Sequence, residues 1–150
     1  PWQVFEQRHG VDLRPLRGQA MGRGYPAVIP PEALGHPGAQ VDAVHLPRRS
    51  EGPRRGSARF EGVEGEVMWG WAGWFTLDLL PDLPLPTGPA APLTHWQQTF
   101  LPCPPLPLTP GVPLELEVAL EPADGDRRAV QAALSWKQGP HAARARWRIV

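Results

Sequence analysis

Residues 114–149 read LELEVALEPADGDRRAVQAALSWKQGPHAARARWRI, and their hydrophobic period decides the fold class. Leu114, Leu116, Val118 and Leu120 alternate with Glu115, Glu117 and Ala119. A strand with one buried face produces that period of two, and a helix does not. Asp124-Gly125 then supplies the positive-φ pair of a tight hairpin turn. The next strand carries Val130, Ala132, Leu134 and Trp136 on one face, and Gly139-Pro140 marks a second turn. Ala143, Ala145, Trp147 and Ile149 finally alternate with Arg144, Arg146 and Arg148. A three-stranded antiparallel meander is expected.

Upstream, the signals are of the same kind but less regular. Trp71, Gly73, Phe75, Leu77 and Leu79 fall on one side, and Ala72, Trp74, Thr76, Asp78 and Leu80 on the other, predicting one strand covered on both faces. Phe60, Val63, Val67 and Trp69 suggest another, with Gly62 and Gly65 as bulges or bends. Val41, Ala43, Val44 and Leu46 suggest a short one, and residues 95–101 a strand after a loop. That loop, 81–92, holds five prolines that cannot sit in a central ladder, and the prolines after Leu101 predict a loose connection. Residues 18–38 are Gly- and Pro-rich, with one helical turn at 31–34, where proline suits a helix start. No repeat of fixed period is visible. Many short antiparallel strands with long connections predict an all-β fold, an antiparallel β-barrel or sandwich. The chain reads as a single domain over 1–150 with an irregular Gly/Pro-rich insertion near its N-terminus.

Composition narrows the function classes. The 21 Pro and 16 Gly make up about a quarter of 150 residues, which nearly excludes a helical domain, while seven Trp and 41% hydrophobic residues supply a core. Lys plus Arg equals Asp plus Glu at 15 each, so no global field draws the chain to nucleic acid or an anionic membrane. All the basic residues but Lys137 are arginine, which fits a GC-rich coding genome. Cys103 is the lone cysteine, which excludes an internal disulfide and a cysteine-based zinc cluster and points to a reducing, cytoplasmic setting. No apolar run reaches the roughly 20 residues of a membrane span. The chain opens on Pro1 with no signal segment and reads as part of a longer protein.

Catalytic motifs are sparse. His9, His36, His45, His95 and His141 have no metal-ligand spacing, and neither a phosphate-cradling glycine loop nor a Gly-x-Ser-x-Gly nucleophile motif is present. Arg48, Arg49, Arg54, Arg55 and Arg59, opposed by Glu51, read as a solvated loop, or as a patch that steers a nucleic acid or an acidic partner. Arg144, Arg146 and Arg148 line one strand face, where they either grip carboxylates or form a solvent face that discourages edge pairing. Of Trp69, Trp71, Trp74, Trp96, Trp136 and Trp147, about four should be core; the alternative is a stacking platform, as in a carbohydrate-binding sandwich. In 71–100, WAGWFTLDLLPDLPLPTGPAAPLTHWQQTF, Thr94-His95-Trp96 falls at a loop-to-strand junction, where a rigid scaffold presents side chains to a cleft. Thr94 can bond the backbone, His95 can exchange a proton near neutral pH, and Trp96 can wall a pocket for a flat cation.

Gly73-Trp74-Phe75, Leu85-Pro86-Thr87-Gly88-Pro89 and Pro92-Leu93-Thr94-His95-Trp96-Gln97-Gln98-Thr99 together resemble the C-terminal barrel of the protein arginine methyltransferases. That family carries a Gly-(Trp/Phe)-Phe strand, a Ser-Thr-rich turn before proline and a Thr-His-Trp-(Lys/Gln)-Gln loop. His9-Gly10-Val11-Asp12 resembles the segment just after the family's methyltransferase domain, and Gly125-Asp126-Arg127-Arg128 a hairpin near its C-terminus. Pro86 stands where the family usually has serine.

The resemblance implies an upstream α/β domain that binds S-adenosylmethionine, absent from this chain, and an arginine site between that domain and the barrel. Two glutamates of the upstream domain would hold the guanidinium. His95 carries over as a catalytic-site residue that orients through an acidic partner rather than acting as the main base. Trp96 carries over as a wall of the arginine channel and Thr94 as the loop's anchor, so Thr94, His95 and Trp96 form the substrate-binding set. The implied partners are an arginine-containing protein or peptide, or a small guanidino compound, the chain's own methyltransferase domain and a second copy in a homodimer, with no nucleic acid and no membrane. Residues 13–38 occupy the place of the family's helical dimerisation arm, although their glycines and prolines work against a well-formed one. The expected function is therefore the substrate-binding barrel of a bacterial-type arginine methyltransferase-like protein, inactive by itself. The alternative is a non-catalytic interaction barrel of a degenerate relative.

Overall fold

The computed structural model describes residues 2–45, 52–63 and 67–150. Its main body is two antiparallel sheets. The meander forms as its alternation requires: β7 (Leu114–Ala123), β8 (Asp126–Gln138) and β9 (His141–Ile149). Both turns rest on glycines that adopt positive φ, Gly125 at 76° and Gly139 at 57°. Gly139 followed by Pro140 suits a hairpin turn with a left-handed first position. β2 (Arg54–Phe60) joins the other edge, giving the order β2-β7-β8-β9.

The second sheet has the order β1-β6-β3, from β1 (Tyr25–Ala27), β3 (Val67–Gly73) and β6 (Gln98–Pro107). Its inner face meets that of the first sheet. Phe60, Leu101, Cys103, Leu114, Leu116, Ala132, Leu134, Trp136 and Trp147 form one buried cluster, with Trp71 packed against it. The ring centroids of Phe60 and Trp71 lie 5.8 Å apart, Trp71 and Trp136 5.9 Å, and Trp136 and Trp147 6.3 Å, so aromatic contacts cross the sandwich. Trp147 Nε1 donates to Pro102 O at 2.8 Å, tying the last strand of one sheet to the middle strand of the other. At one side the sheets approach closure. Gly24 N–H donates to Arg148 O and Arg148 N–H to Gly22 O, both at 3.0 Å, and the chain then runs on into β1 beside β6.

The irregular N-terminal part contains α1 (Trp2–His9), a 310 turn at Arg14–Leu16, α2 (Arg17–Met21) and a second 310 turn at Pro31–Ala33, within the helical turn expected there. Over 13–38 the longest helix is the five-residue α2, and the segment lies along the chain's own strands.

Several expectations are corrected. Residues 71–80 are not one strand covered on both faces: β3 ends at Gly73, and Thr76–Leu80 is a separate β4 that pairs only with β5 (Leu83–Pro86). Phe75, just before β4, and Leu79 and Leu80 on it are exposed. Phe60 and Val67 belong to different strands, because Gly62 takes φ 61° and turns the chain; Gly65 lies outside the described residues. Residues 41–45 form no strand, and Leu46 lies outside the described residues. Instead, Val41 packs over the inner face of β2, where a Cβ on Gly56 would lie 1.7 Å from Val41 O. Arg54, Arg55 and Arg59 sit on β2 rather than in a loop, while Arg48, Arg49 and Glu51 lie outside the described residues. The strand expected over 95–101 begins at Gln98, and the prolines after Leu101 are inside β6. Beyond Phe100 that strand has a ladder on the β3 side alone, so its prolines need not supply a second neighbour with N–H groups.

Candidate functional site

Where β3 leaves its sheet, Thr87 captures the backbone. Thr87 N–H donates to Phe75 O at 3.0 Å, Thr87 Oγ1 donates to the same carbonyl at 2.8 Å, and Phe75 N–H donates to Thr87 Oγ1 at 3.2 Å. Thr87 is 1% exposed, so these bonds are shielded from water. Gln98, also buried, continues the clamp: its Nε2 donates to Thr87 O at 2.7 Å and its Oε1 accepts Ile29 N–H at 2.9 Å. Three remote segments, 28–29, 75–87 and the start of β6, are thus joined at one point.

The Thr94-His95-Trp96 bend leads directly into that point. Thr94 Oγ1 donates to Trp96 O at 2.9 Å, a local bond that tightens the bend. The His95 and Trp96 ring centroids lie 4.0 Å apart at 37°, and Phe75 meets Trp96 nearly edge-on at 6.1 Å. Thr94 is half-buried and His95 exposed. Trp96 keeps 43% of its surface exposed. Thr94, His95 and Trp96, consecutive in the chain, thus form a bend that leaves an aromatic surface open to solvent beside the Thr87-Gln98 clamp. An open indole face of this kind suits a planar cation.

A cleft of about 680 Å³ lies beside this loop in sequence, lined among others by His36, Trp74, Pro86, Pro89 and Ala91. Trp74 is held between two glycines, since a Cβ on Gly38 would lie 2.7 Å from its ring and one on Gly88 2.8 Å from its Nε1. His36 Nδ1 accepts Gly38 N–H at 3.0 Å, and the His36 ring meets Phe60 edge-on at 5.1 Å. The cleft lining has no carboxylate or nucleophile and does not include Thr94, His95 or Trp96. Among the described residues, no three His, Cys, Asp or Glu converge as metal ligands, and no helix is long and apolar enough to cross a membrane.

Phe75 and Gln98 stand in the motifs that carry the resemblance, but the sequence reading gave neither a part in building the site. Phe75 looked like one more inward position of a continuous strand, and a buried glutamine leaves no periodic signal. The Pro86-Thr87 turn was visible, but its bond to Phe75 was not.

Comparison with known proteins finds likeness of sequence and of fold to protein arginine methyltransferases. No protein-family model matches the chain. Over 89 residues, 55% of the chain, it is 34% identical to human (Homo sapiens) protein arginine N-methyltransferase 2, of which it spans 21%. Its fold is similar to that of a chain in the Trypanosoma brucei PRMT1 enzyme-prozyme heterotetrameric complex with AdoHcy, with a TM-score of 0.78 and 12% identity over 99% of this chain and 50% of that one. Arabidopsis thaliana protein arginine methyltransferase 10, solved in an open conformation, gives 0.71 and 16% over 98% and 50%. The chain thus spans about a fifth of the curated relative and half of each solved chain. Sequence and fold independently support the likeness to the C-terminal barrel of this family.

Proposed function

We propose that this chain is the substrate-side barrel of a protein that transfers a methyl group from S-adenosylmethionine to an arginine guanidinium. The observation that carries the reading is the half-exposed Trp96, its ring tilted against His95 and met edge-on by Phe75, on a bend tightened by Thr94. Methyl transfer to nitrogen is an in-line displacement whose rate depends on aligning the attacking nitrogen with the methyl carbon, so rigid walls contribute directly. Trp96 would face the guanidinium plane, His95 would orient it through an acidic group of the upstream domain, and Thr94 and Gln98 would keep both rings in place. The cofactor would bind on that upstream domain, since the chain's own segments offer no glycine-rich strand-to-helix turn for it. Arginine-bearing protein or peptide is the proposed substrate, with a homodimer as the proposed assembly.

The test is methyl transfer by the longer protein that carries this barrel, with product analysis after acid hydrolysis. Methylated arginine from an arginine-bearing peptide is expected. Absence of methylarginine while the protein binds S-adenosylmethionine would overturn the catalytic reading in favour of an interaction barrel.

A further inference from the structure

β9 is an edge strand, and only its last turnings are covered. The bonds of Arg148 to Gly22 and Gly24 form a single parallel bridge between Arg23 and Arg148 on the side of β9 away from β8. Along a strand, the N–H and C=O of one residue point to the same side, and the side alternates from residue to residue. Arg148 therefore fixes which residues face outward. Arg146 and Arg144, in register with Ala133 and Ser135, turn their N–H and C=O to that same outer edge. Among the described residues no strand pairs with this edge over 142–146.

The side chains at the same positions carry unmatched charge. The core face of β9 is set by Trp147, so Arg144 and Arg146 project to the outer face, and both are exposed. Their cross-strand neighbours, Ser135 and Ala133, carry no carboxylate. Elsewhere on this face two cations are matched, since Arg59 meets Glu115 at 2.8 Å and Lys137 meets it at 3.0 Å. Arg144 and Arg146 have no carboxylate within ion-pair distance among the described residues. Their Cα atoms stand about 7 Å apart, the repeat of an extended peptide. Ala142 and Ala143 leave the edge without bulky shielding.

We propose that the 142–146 edge of β9 captures an extended acidic peptide segment of a partner protein. The segment adds as a further strand, exchanging backbone hydrogen bonds with Arg144 and Arg146 and placing carboxylates at alternate positions on their guanidiniums. A phosphodiester backbone has acceptors but no donors for the two outward carbonyls, which favours peptide over nucleic acid. A second copy of β9 would set like charges against each other.

The experiment titrates the chain with a short, capped, fluorescent peptide alternating Glu and Val, followed by anisotropy and by amide hydrogen exchange. Binding is expected, with exchange slowed at the Arg144 and Arg146 amides, and with affinity lowered on the order of tenfold or more in the doubly neutralised R144Q/R146Q chain. A peptide with Lys in place of Glu should not bind. Both substitutions are at exposed positions, and unchanged circular dichroism confirms folding; the exchange readout needs no variant. Unchanged affinity in the double variant, no slowing at the two amides, tighter binding of a single-stranded oligonucleotide, or self-association through β9 would each overturn the proposal.

Discussion

Trp147 and Trp136 face the same core from neighbouring strands, yet their indole nitrogens differ in fate. Trp147 Nε1 donates to Pro102 O, whereas the buried Nε1 atoms of Trp136 and Trp71 meet no acceptor among the described residues. Removing a made bond leaves Pro102 O unpaired, while removing an unmade one relieves a desolvated donor. Trp147→Phe should therefore cost about 2–3 kcal/mol in denaturant unfolding and Trp136→Phe about 1 kcal/mol less than that. Equal losses would contradict the difference. Cys103 makes a second case. Burial pushes its thiol up to about 11, so it should resist alkylation near pH 8 in the native chain and react after unfolding. Alternation placed Trp136 and Trp147 inside, but not Cys103, which lies in the stretch after Leu101 that was expected to be a loose connection. Nor could it say which indole finds a carbonyl, because that partner lies on the opposite sheet.

Among the elements, the 40–45 segment shows why a short apolar run is a weak signal. It pairs with nothing as a strand and is held by side chains: Arg54 bonds Asp42 through Nε and Ala43 O through Nη2 at 2.9 Å. Val41 crosses Gly56 so closely that any side chain there must displace it, and Gly56→Ala should lower stability by about 1–3 kcal/mol in thermal or denaturant unfolding. A wild-type unfolding curve for that variant would refute the crossing. The bond from Arg54 holds the Asp42 carboxyl below its usual range. Its contribution is thus complete above the unfolded carboxylate pKa and lost as pH falls through the lowered folded value. Asp42→Asn should destabilise the chain near neutrality and flatten the fall in thermal midpoint below about pH 4. The long meander was legible because one period persists through three strands. β2 was not, because Arg54, Arg55 and Arg59 flank the small residues Gly56, Ser57 and Ala58 and no alternation of large apolar groups results, and the break at Trp74-Phe75 depends on Thr87, twelve residues beyond Phe75.

At the scale of the whole molecule, zero net charge conceals an uneven distribution, matched along the Arg59-Glu115-Lys137 row and unmatched at Arg144 and Arg146 of β9. The two sheets, their aromatic core and the near-closure through Gly22–Gly24 set the Thr94-His95-Trp96 bend on a rigid base. The bend itself was readable as a motif at a loop-to-strand junction. Its support by Gln98 and Phe75 was not, because buried polar clamps and strand exits are set by tertiary contacts. The central claim is that this bend receives the substrate. The most direct measurement is kcat/KM for methyl transfer to an arginyl peptide by the longer protein, comparing His95→Ala and Trp96→Ala with Trp69→Ala, whose ring is 63% exposed on β3 away from the bend. The account predicts losses on the order of a hundredfold for the first two with the fold intact, and little change for Trp69→Ala. Wild-type transfer in the His95 and Trp96 variants, or an equal loss in all three, would contradict it.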